Sequence, residues 1–195
     1  MSKRDTIAIF PGRFQPPHRG HRYVYEWLVE EFGTAFIATS NVIEEGRSPF
    51  SFAEKKMLFE KAGIDADAIR EVRSPYIAKE IIDEYGEDNI NVVFAVSEKD
   101  MTGDPRFNFA NKKDGSPSYL QPYSNDIEME SAATHGYIVI APTFDFDVGD
   151  DTMQSATQVR KQFRIGDNAM QIRIVEDLFD VYDKDAHNLL RERLV

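Results

Sequence analysis

Two histidines three positions apart, His18 and His21, follow the run Ile7-Ala8-Ile9-Phe10-Pro11-Gly12-Arg13-Phe14-Gln15-Pro16-Pro17, with Arg19 and Gly20 between them. Residues spaced i, i+3 share one face of a helix, so a helix opening here would present both imidazoles together. The first N–H groups of a helix lack intrahelical partners and attract anions. Arg13 and Arg19 add charge, and Gly20 offers no side chain to obstruct a phosphate approaching the backbone. These residue types, at this spacing, are suited to binding and polarising phosphate. Half of the chain's four histidines lie in this one turn.

Positioning them requires a strand before the turn and a helix after it. Thr6 to Phe10 is a short apolar run stopped by Pro11-Gly12, which predicts a buried strand. A helix is predicted from His18 to Phe32, with Val24, Trp27 and Leu28 inward and Gly33 as its stop. Thr34 to Thr39 reads as a second strand. Ser51 can cap the next helix, with Glu54 completing a capping box, and Met57, Leu58 and Ala62 face inward. Ala68 to Arg73 reads as a weak third strand, followed by a helix from Tyr76 to Tyr85 with Ile77, Ile81 and Ile82 inward. Ile90 to Val96 is the clearest buried strand. Ser97 to Gly136 is rich in Asp, Asn, Ser, Pro and Gly, and a helix is expected within it at Asn125 to Ala133. A last strand at Tyr137 to Ala141 precedes a loop and a helix from Ser155 to Ile165. A further helix is expected at Ala169 to Tyr182, capped by Asp167 or Asn168, and then a helical tail. Alternating strands and helices imply an α/β fold with a parallel sheet and ligands at the carboxyl ends of its strands. The expected organisation is a single domain over 1–195, with a specificity-setting insertion at 97–136 and a helical segment at 167–195.

With 195 residues, 42% hydrophobic and 29% charged, the chain can bury a sizeable core. It has no cysteine, hence no disulfide framework and no thiolate metal site. No apolar run is long enough to span a bilayer, and a cytoplasmic location is expected. A net charge of −11 disfavours nucleic acid and anionic membrane as partners. Positive charge nevertheless gathers at Lys3, Arg4, Arg13, Arg19 and Arg22, and again at Arg160, Lys161 and Arg164. Two basic spots on an acidic chain fit a small anionic ligand. A homo-oligomer is left open.

The second spot opens with Ser155-Ala156-Thr157-Gln158-Val159-Arg160. Hydroxyls at i and i+2 ahead of a helix can cap it or donate to phosphate oxygens, and an arginine in the following turns can fork onto phosphate. Gly12-Arg13-Phe14-Gln15-Pro16 with His18-Arg19-Gly20-His21 resembles the opening of the nucleotidyltransferases that carry a His-x-Gly-His signature. Ser155, Thr157 and Arg160 match, in register, their downstream Ser-x-Thr-x-x-Arg signature. The Gly-Arg-Phe-Gln-Pro lead-in is most similar to the nicotinamide mononucleotide (NMN) adenylyltransferase branch. Ser48-Pro49-Phe50-Ser51-Phe52-Ala53-Glu54-Lys55 resembles that branch's Asn-Pro-Phe-Thr-x-x-Glu-Arg segment, with Lys55 in place of arginine.

The resemblance implies a Rossmann-like three-layer fold, a parallel sheet with helices on both faces. It implies transfer of a nucleoside monophosphate from a triphosphate, ATP first, to a phosphorylated acceptor such as NMN, with release of pyrophosphate and formation of NAD. His18, His21 and Arg160 would be the catalytic residues. Phe10, Gly12, Arg13, Phe14, Gly20, Ser155 and Thr157 would bind nucleotide and phosphate, and Arg47 and Lys55 are candidates for substrate contacts or for ordinary surface charge. Mg²⁺ would enter with the triphosphate, held by phosphate oxygens and water; no residues form an all-protein metal cage, and the acidic run Asp145, Asp147, Asp150, Asp151 reads as a solvated loop. The alternatives are a cytidylyltransferase acting on glycerol phosphate or phosphocholine, and, of another class, a nucleotide-binding regulator without turnover.

Overall fold

The computed structural model describes residues 4–102, 107, 109–149, 151–152 and 156–195. Its elements run β1 (Asp5–Pro11), α1 (Arg19–Phe32), β2 (Thr34–Thr39), α2 (Phe52–Lys61), β3 (Ile69–Glu71), α3 (Lys79–Tyr85), β4 (Ile90–Val96), β5 (Leu120–Pro122), β6 (Gly136–Ile140), β7 (Asp147–Val148), β8 (Asp151–Thr152), α4 (Ala156–Ile165), α5 (Asn168–Phe179) and α6 (Lys184–Leu194). The contacts group into two compact units. One holds Met1–Gly12, Tyr25–Ala38 and Val72–Thr143; the other holds Arg13–Val24, Thr39–Glu71 and Phe144–Val195.

The first unit is built on parallel strands in the order β2-β1-β4-β6-β5. Ile9 of β1 pairs with Phe36 on one side and Phe94 on the other. All seven residues of β4 are buried, as expected for a strand covered on both faces. Ile7, Ile9, Phe36, Val92, Phe94 and Ile138 anchor its core. The chain leaves β1 toward β2 and later returns on the other side as β4. This reversal of strand order marks the carboxyl end of β1 as the place where α/β folds of this Rossmann-like kind receive ligands.

Three expectations for this unit are corrected. The helix expected from Tyr76 begins at Lys79, because the N–H groups of Ile77 and Ala78 both donate to the Ser74 carbonyl and Ala78 adopts φ 46°. Ile77 is consequently exposed. No helix forms at 125–133: the N–H groups of Ala132 and Ala133 donate to the carbonyls of Ile90 and Glu87 instead of closing helical turns. Within 97–136 the chain adds a strand the sequence did not announce, β5, beside β6. Trp27 is half-buried against Phe32 rather than a fully enclosed anchor.

The second unit closes α2, α4, α5 and α6 around Phe50, Leu58, Val159, Phe163, Ile174, Leu178 and Leu190. The capping box on α2 is present, with Glu54 N–H donating to Ser51 Oγ and Ser51 N–H to a Glu54 oxygen 2.7 Å away. Asp167 caps α5 through Met170 N–H. Ion pairs Lys61–Asp183 (2.6 Å) and Arg193–Glu54 tie α2 to α6 and its cap. The acidic stretch expected to be a solvated loop forms, in part, the β7–β8 hairpin, in which Thr152 Oγ1 donates to Asp147 at 2.8 Å. Among the described residues no helix is long and apolar enough to cross a membrane.

Candidate active site

The residues after β1 are held in a shape that local preference alone would not select. Gly12 N–H donates to Ala38 O at 3.0 Å, extending the strand pairing by one step. Phe10 stands one residue before the end of β1 and Gly12 one residue past it. Phe14 then adopts φ 49°, a left-handed conformation that costs a bulky residue roughly 1–3 kcal/mol. Its buried ring compensates, packing edge-on against Phe59 at 5.0 Å and His21 at 4.8 Å, since burial of a Phe side chain contributes about 1.5–3 kcal/mol. Gln15 locks the next step: its amide donates to Phe50 O at 3.1 Å and accepts from Phe50 N–H at 2.9 Å, as a strand neighbour would.

Helix α1 opens directly behind this turn. His18 N–H donates to His21 Nδ1 at 3.2 Å, so the imidazole caps the helix as a Glu does in a capping box. Because Nδ1 accepts, the neutral ring carries its proton on Nε2 and is a donor there. Burial lowers the His21 pKa to about 3, which keeps the ring neutral at ordinary pH. His18 stacks on it with centroids 3.5 Å apart. Burial, then the charges of His21 and Arg19, hold His18 well below the usual histidine range. His18 is 7% exposed, and its Nδ1 is buried without a partner.

A pocket of about 290 Å³ lies within the second unit, lined by Arg13, Phe14, Gln15, His21, Arg47, Ala156, Thr157 and Arg160. Arg160 donates to Gln15 O at 2.6 Å and to Thr157 Oγ1 at 3.2 Å, so one guanidinium joins the opening of α4 to the turn before α1. Burial first, then the charges of Arg13 and Arg164, pull its pKa down. Among the described residues that line this space there are three guanidiniums and no carboxylate. Arg47 makes only a loose, exposed contact with Glu44 at 3.6 Å. Such an arrangement repels itself until an anion enters, and a polyphosphate supplies several charges and acceptors at once.

The sequence-predicted residues therefore divide. Arg13, Phe14, His21, Arg47, Thr157 and Arg160 are brought together, while His18 lies beneath His21 and does not line the pocket. Ser155 falls outside the described residues. Lys55 is 1% exposed and donates to Thr39 Oγ1 at 2.6 Å and Ser40 O at 2.5 Å, bracing the exit of β2. A Cβ at Gly20 would stand 2.5 Å from Phe146 Cε1, so the glycine makes room for an aromatic ring. Phe146 covers His18 at 5.3 Å, a role no local sequence signal announces. Arg19 lies over Phe146 and, with Arg22, grips Asp180 at 2.9 and 2.6 Å. Gln15, by contrast, was legible as part of the motif, although its pairing with Phe50 was not.

Comparison with known proteins agrees with this geometry. The cytidylyltransferase-like family matches residues 9–162. A nicotinamide-nucleotide adenylyltransferase of Sulfurisphaera tokodaii is 36% identical over 56 residues, which are 28% of this chain and 33% of that protein. Among solved structures, a bifunctional NMN adenylyltransferase/ADP-ribose pyrophosphatase of Francisella tularensis, complexed with AMP and a manganese ion, superposes with a TM-score of 0.55 at 17% identity. That match covers 97% of this chain and 49% of the other, so the chain spans about half the Francisella protein's length. A Vibrio parahaemolyticus protein proposed as a nicotinate-nucleotide adenylyltransferase gives a TM-score of 0.54 at 14% identity, covering 96% and 99% of the two chains. At these identities the structures establish a shared α/β fold.

Proposed function

Because the chain belongs to the cytidylyltransferase-like family, we propose that it is a nucleotidyltransferase that joins ATP to NMN, forming NAD and releasing pyrophosphate. The observation that carries this reading is the pocket in which Arg13, Arg47, Arg160 and the neutral donor His21 converge, with no carboxylate among the described residues that line it. The acceptor's phosphate oxygen attacks the α-phosphorus, a new P–O bond forms, and the bond to the departing pyrophosphate breaks. No covalent bond to the protein is needed, so catalysis rests on positioning and on charge stabilisation.

In this reading His21 Nε2–H donates to the α-phosphate as negative charge builds on it, and His18, stacked behind, fixes the plane of that ring. Arg13 and Arg160 hold the β- and γ-phosphates with Thr157. Arg47 approaches the acceptor phosphate. Phe14 shapes the wall, and the backbone from Phe10 to Gly12 carries the turn to the end of the strand. Mg²⁺ would enter with the triphosphate, held by its phosphate oxygens and water.

The family description also favours a second reading, transfer from CTP to an alcohol phosphate, which the same pocket would serve. Pyrophosphate release from ATP or CTP, with NMN or glycerol phosphate as acceptor, separates the two. Replacing His21 by Ala should lower turnover about 10²–10³-fold, as loss of one preorganised donor does. Near-normal turnover in His21→Ala would remove the assignment. Tight triphosphate binding with no pyrophosphate released under any pairing would instead favour a regulator.

A further inference from the structure

A chain of contacts within the second unit leads from the His21 ring to a carboxylate far along the sequence. His18 stacks on His21 with centroids 3.5 Å apart, and Phe146 packs against His18 at 5.3 Å. The Arg19 guanidinium covers the Phe146 ring at 4.9 Å, and its Nη1 donates to Asp180 Oδ1 at 2.9 Å. Arg22 takes the other oxygen, donating Nη2 to Asp180 Oδ2 at 2.6 Å and Nη1 to Ala62 O at 3.2 Å. There is little slack along this route. A Cβ on Gly20 would stand 2.5 Å from Phe146 and 3.0 Å from His18 Nδ1.

Nothing local favours Asp180 where it stands. It ends α5 with φ 66°, a left-handed backbone that is uncommon outside glycine. Its negative charge lies at the carboxyl end of α5, whose last turn has no basic residue, while Arg19 and Arg22 lie at the amino end of α1, whose first turn has no acidic one. Each charge is thus disfavoured by the dipole of its own helix. Pairing across 161 and 158 positions of chain offsets both. Burial raises the Asp180 pKa, but the hydrogen bonds and charges of Arg19 and Arg22 outweigh it and hold the carboxyl below its usual range. Partly exposed ion pairs add little to stability, so the strain is not explained by stability alone. Strain retained in this way points to what the residue grips, and Arg19 and Arg22 flank His21.

We propose that Asp180 is a positioning residue for nucleotidyl transfer, fixing the first turn of α1 through Arg19, Arg22 and Phe146 and so setting the plane of the His21 ring. The proposal rests on the reading of His21 as the donor to the α-phosphate. Asp180→Gly removes the carboxylate and relieves the left-handed backbone together, so its urea midpoint should stay close to that of wild type. Its kcat for pyrophosphate release from ATP and NMN should fall about tenfold, with both KM values within about twofold of wild type. Asp180→Asn keeps an acceptor oxygen and tolerates the same backbone, and should lose less. Heteronuclear NMR of the histidine ring nitrogens in the substrate-free protein reads the same effect without turnover. Wild type should show one His21 tautomer, protonated on Nε2, and Asp180→Gly a mixture of the two. Unchanged kcat, a raised KM with kcat intact, or identical His21 signals in the two proteins overturns the proposal. If wild type releases no pyrophosphate under any pairing, the functional reading fails, and the His21 signals still decide whether Asp180 orients the ring.

Discussion

Lys55 separates a brace from a ligand-binding cation by a measurement that needs no substrate. Its ammonium sits 1% exposed between Thr39 Oγ1 and Ser40 O, and burial, opposed only by the charge of Glu71, lowers its pKa from 10.5 to about 8. The unfolded chain therefore holds this proton more tightly than the folded one. At 1.36 kcal/mol per unit, the charged form costs the folded state about 3 kcal/mol near neutral pH. The sign follows from proton binding. Between about pH 8 and 10.5 the unfolded state carries more protons, so this cost is relieved and stability rises with pH across that window. Integrating from pH 7 to 9.5 gives a gain of about 2 kcal/mol from this one group. The two hydrogen bonds survive deprotonation, since a neutral amine still offers two donors to two acceptors. Replacement of Lys55 by Met removes the titration while filling a similar volume. Urea unfolding at pH 7.0 and 9.5, compared between the two proteins, should show wild type gaining about 2 kcal/mol relative to Lys55→Met, with similar m-values. Parallel pH dependences would refute the argument. A Lys55→Met protein of wild-type stability profile but with a raised KM would return the residue to the substrate.

Two further substitutions probe the site from either end. Arg160→Lys keeps the charge but cannot span Gln15 O and Thr157 Oγ1 together; kcat/KM should fall about 10- to 100-fold, and unchanged kinetics would show that the fork is not needed. Gly20→Ala should destabilise the chain by ~1–3 kcal/mol through its clash with Phe146. Trimming the ring in Gly20→Ala/Phe146→Leu should recover most of that loss in a urea melt, and no recovery would mean that the glycine serves another purpose.

What the sequence made legible was what neighbouring residues decide among themselves. Ser51 and Glu54 form their capping box three positions apart, Asp167 caps its helix, and the apolar run Ile90 to Val96 is buried throughout. The histidine turn and the hydroxyl–arginine signature were readable because each keeps a fixed spacing, and Arg13, His21, Thr157 and Arg160 do meet in one pocket. What was not legible concerns residues whose surroundings come from elsewhere in the chain. Nothing near Gly20 reveals that Phe146 will approach it, and nothing near Lys55 reveals that β2 will end against its ammonium. The stretch at 125–133 has helix-compatible residues, yet its N–H groups find carbonyls at Glu87 and Ile90. Burial by distant partners overrides local preference at each of these positions.

The link from Arg160 to Gln15 spans 145 positions of chain. At a translation rate of roughly 5–20 residues per second, the turn that carries His18 and His21 leaves the ribosome about 7–30 seconds before the guanidinium that will close over it. During that interval Phe14, Phe50 and Phe59, all buried in the finished protein, wait without Phe163 and the helices that enclose the second unit. The nascent chain therefore passes through a stage in which the turn that carries His18 and His21 is also an exposed aromatic surface. Chaperone demand during synthesis should be set there, by the interval between the two halves of the pocket, more than by the thermodynamic stability of the completed fold.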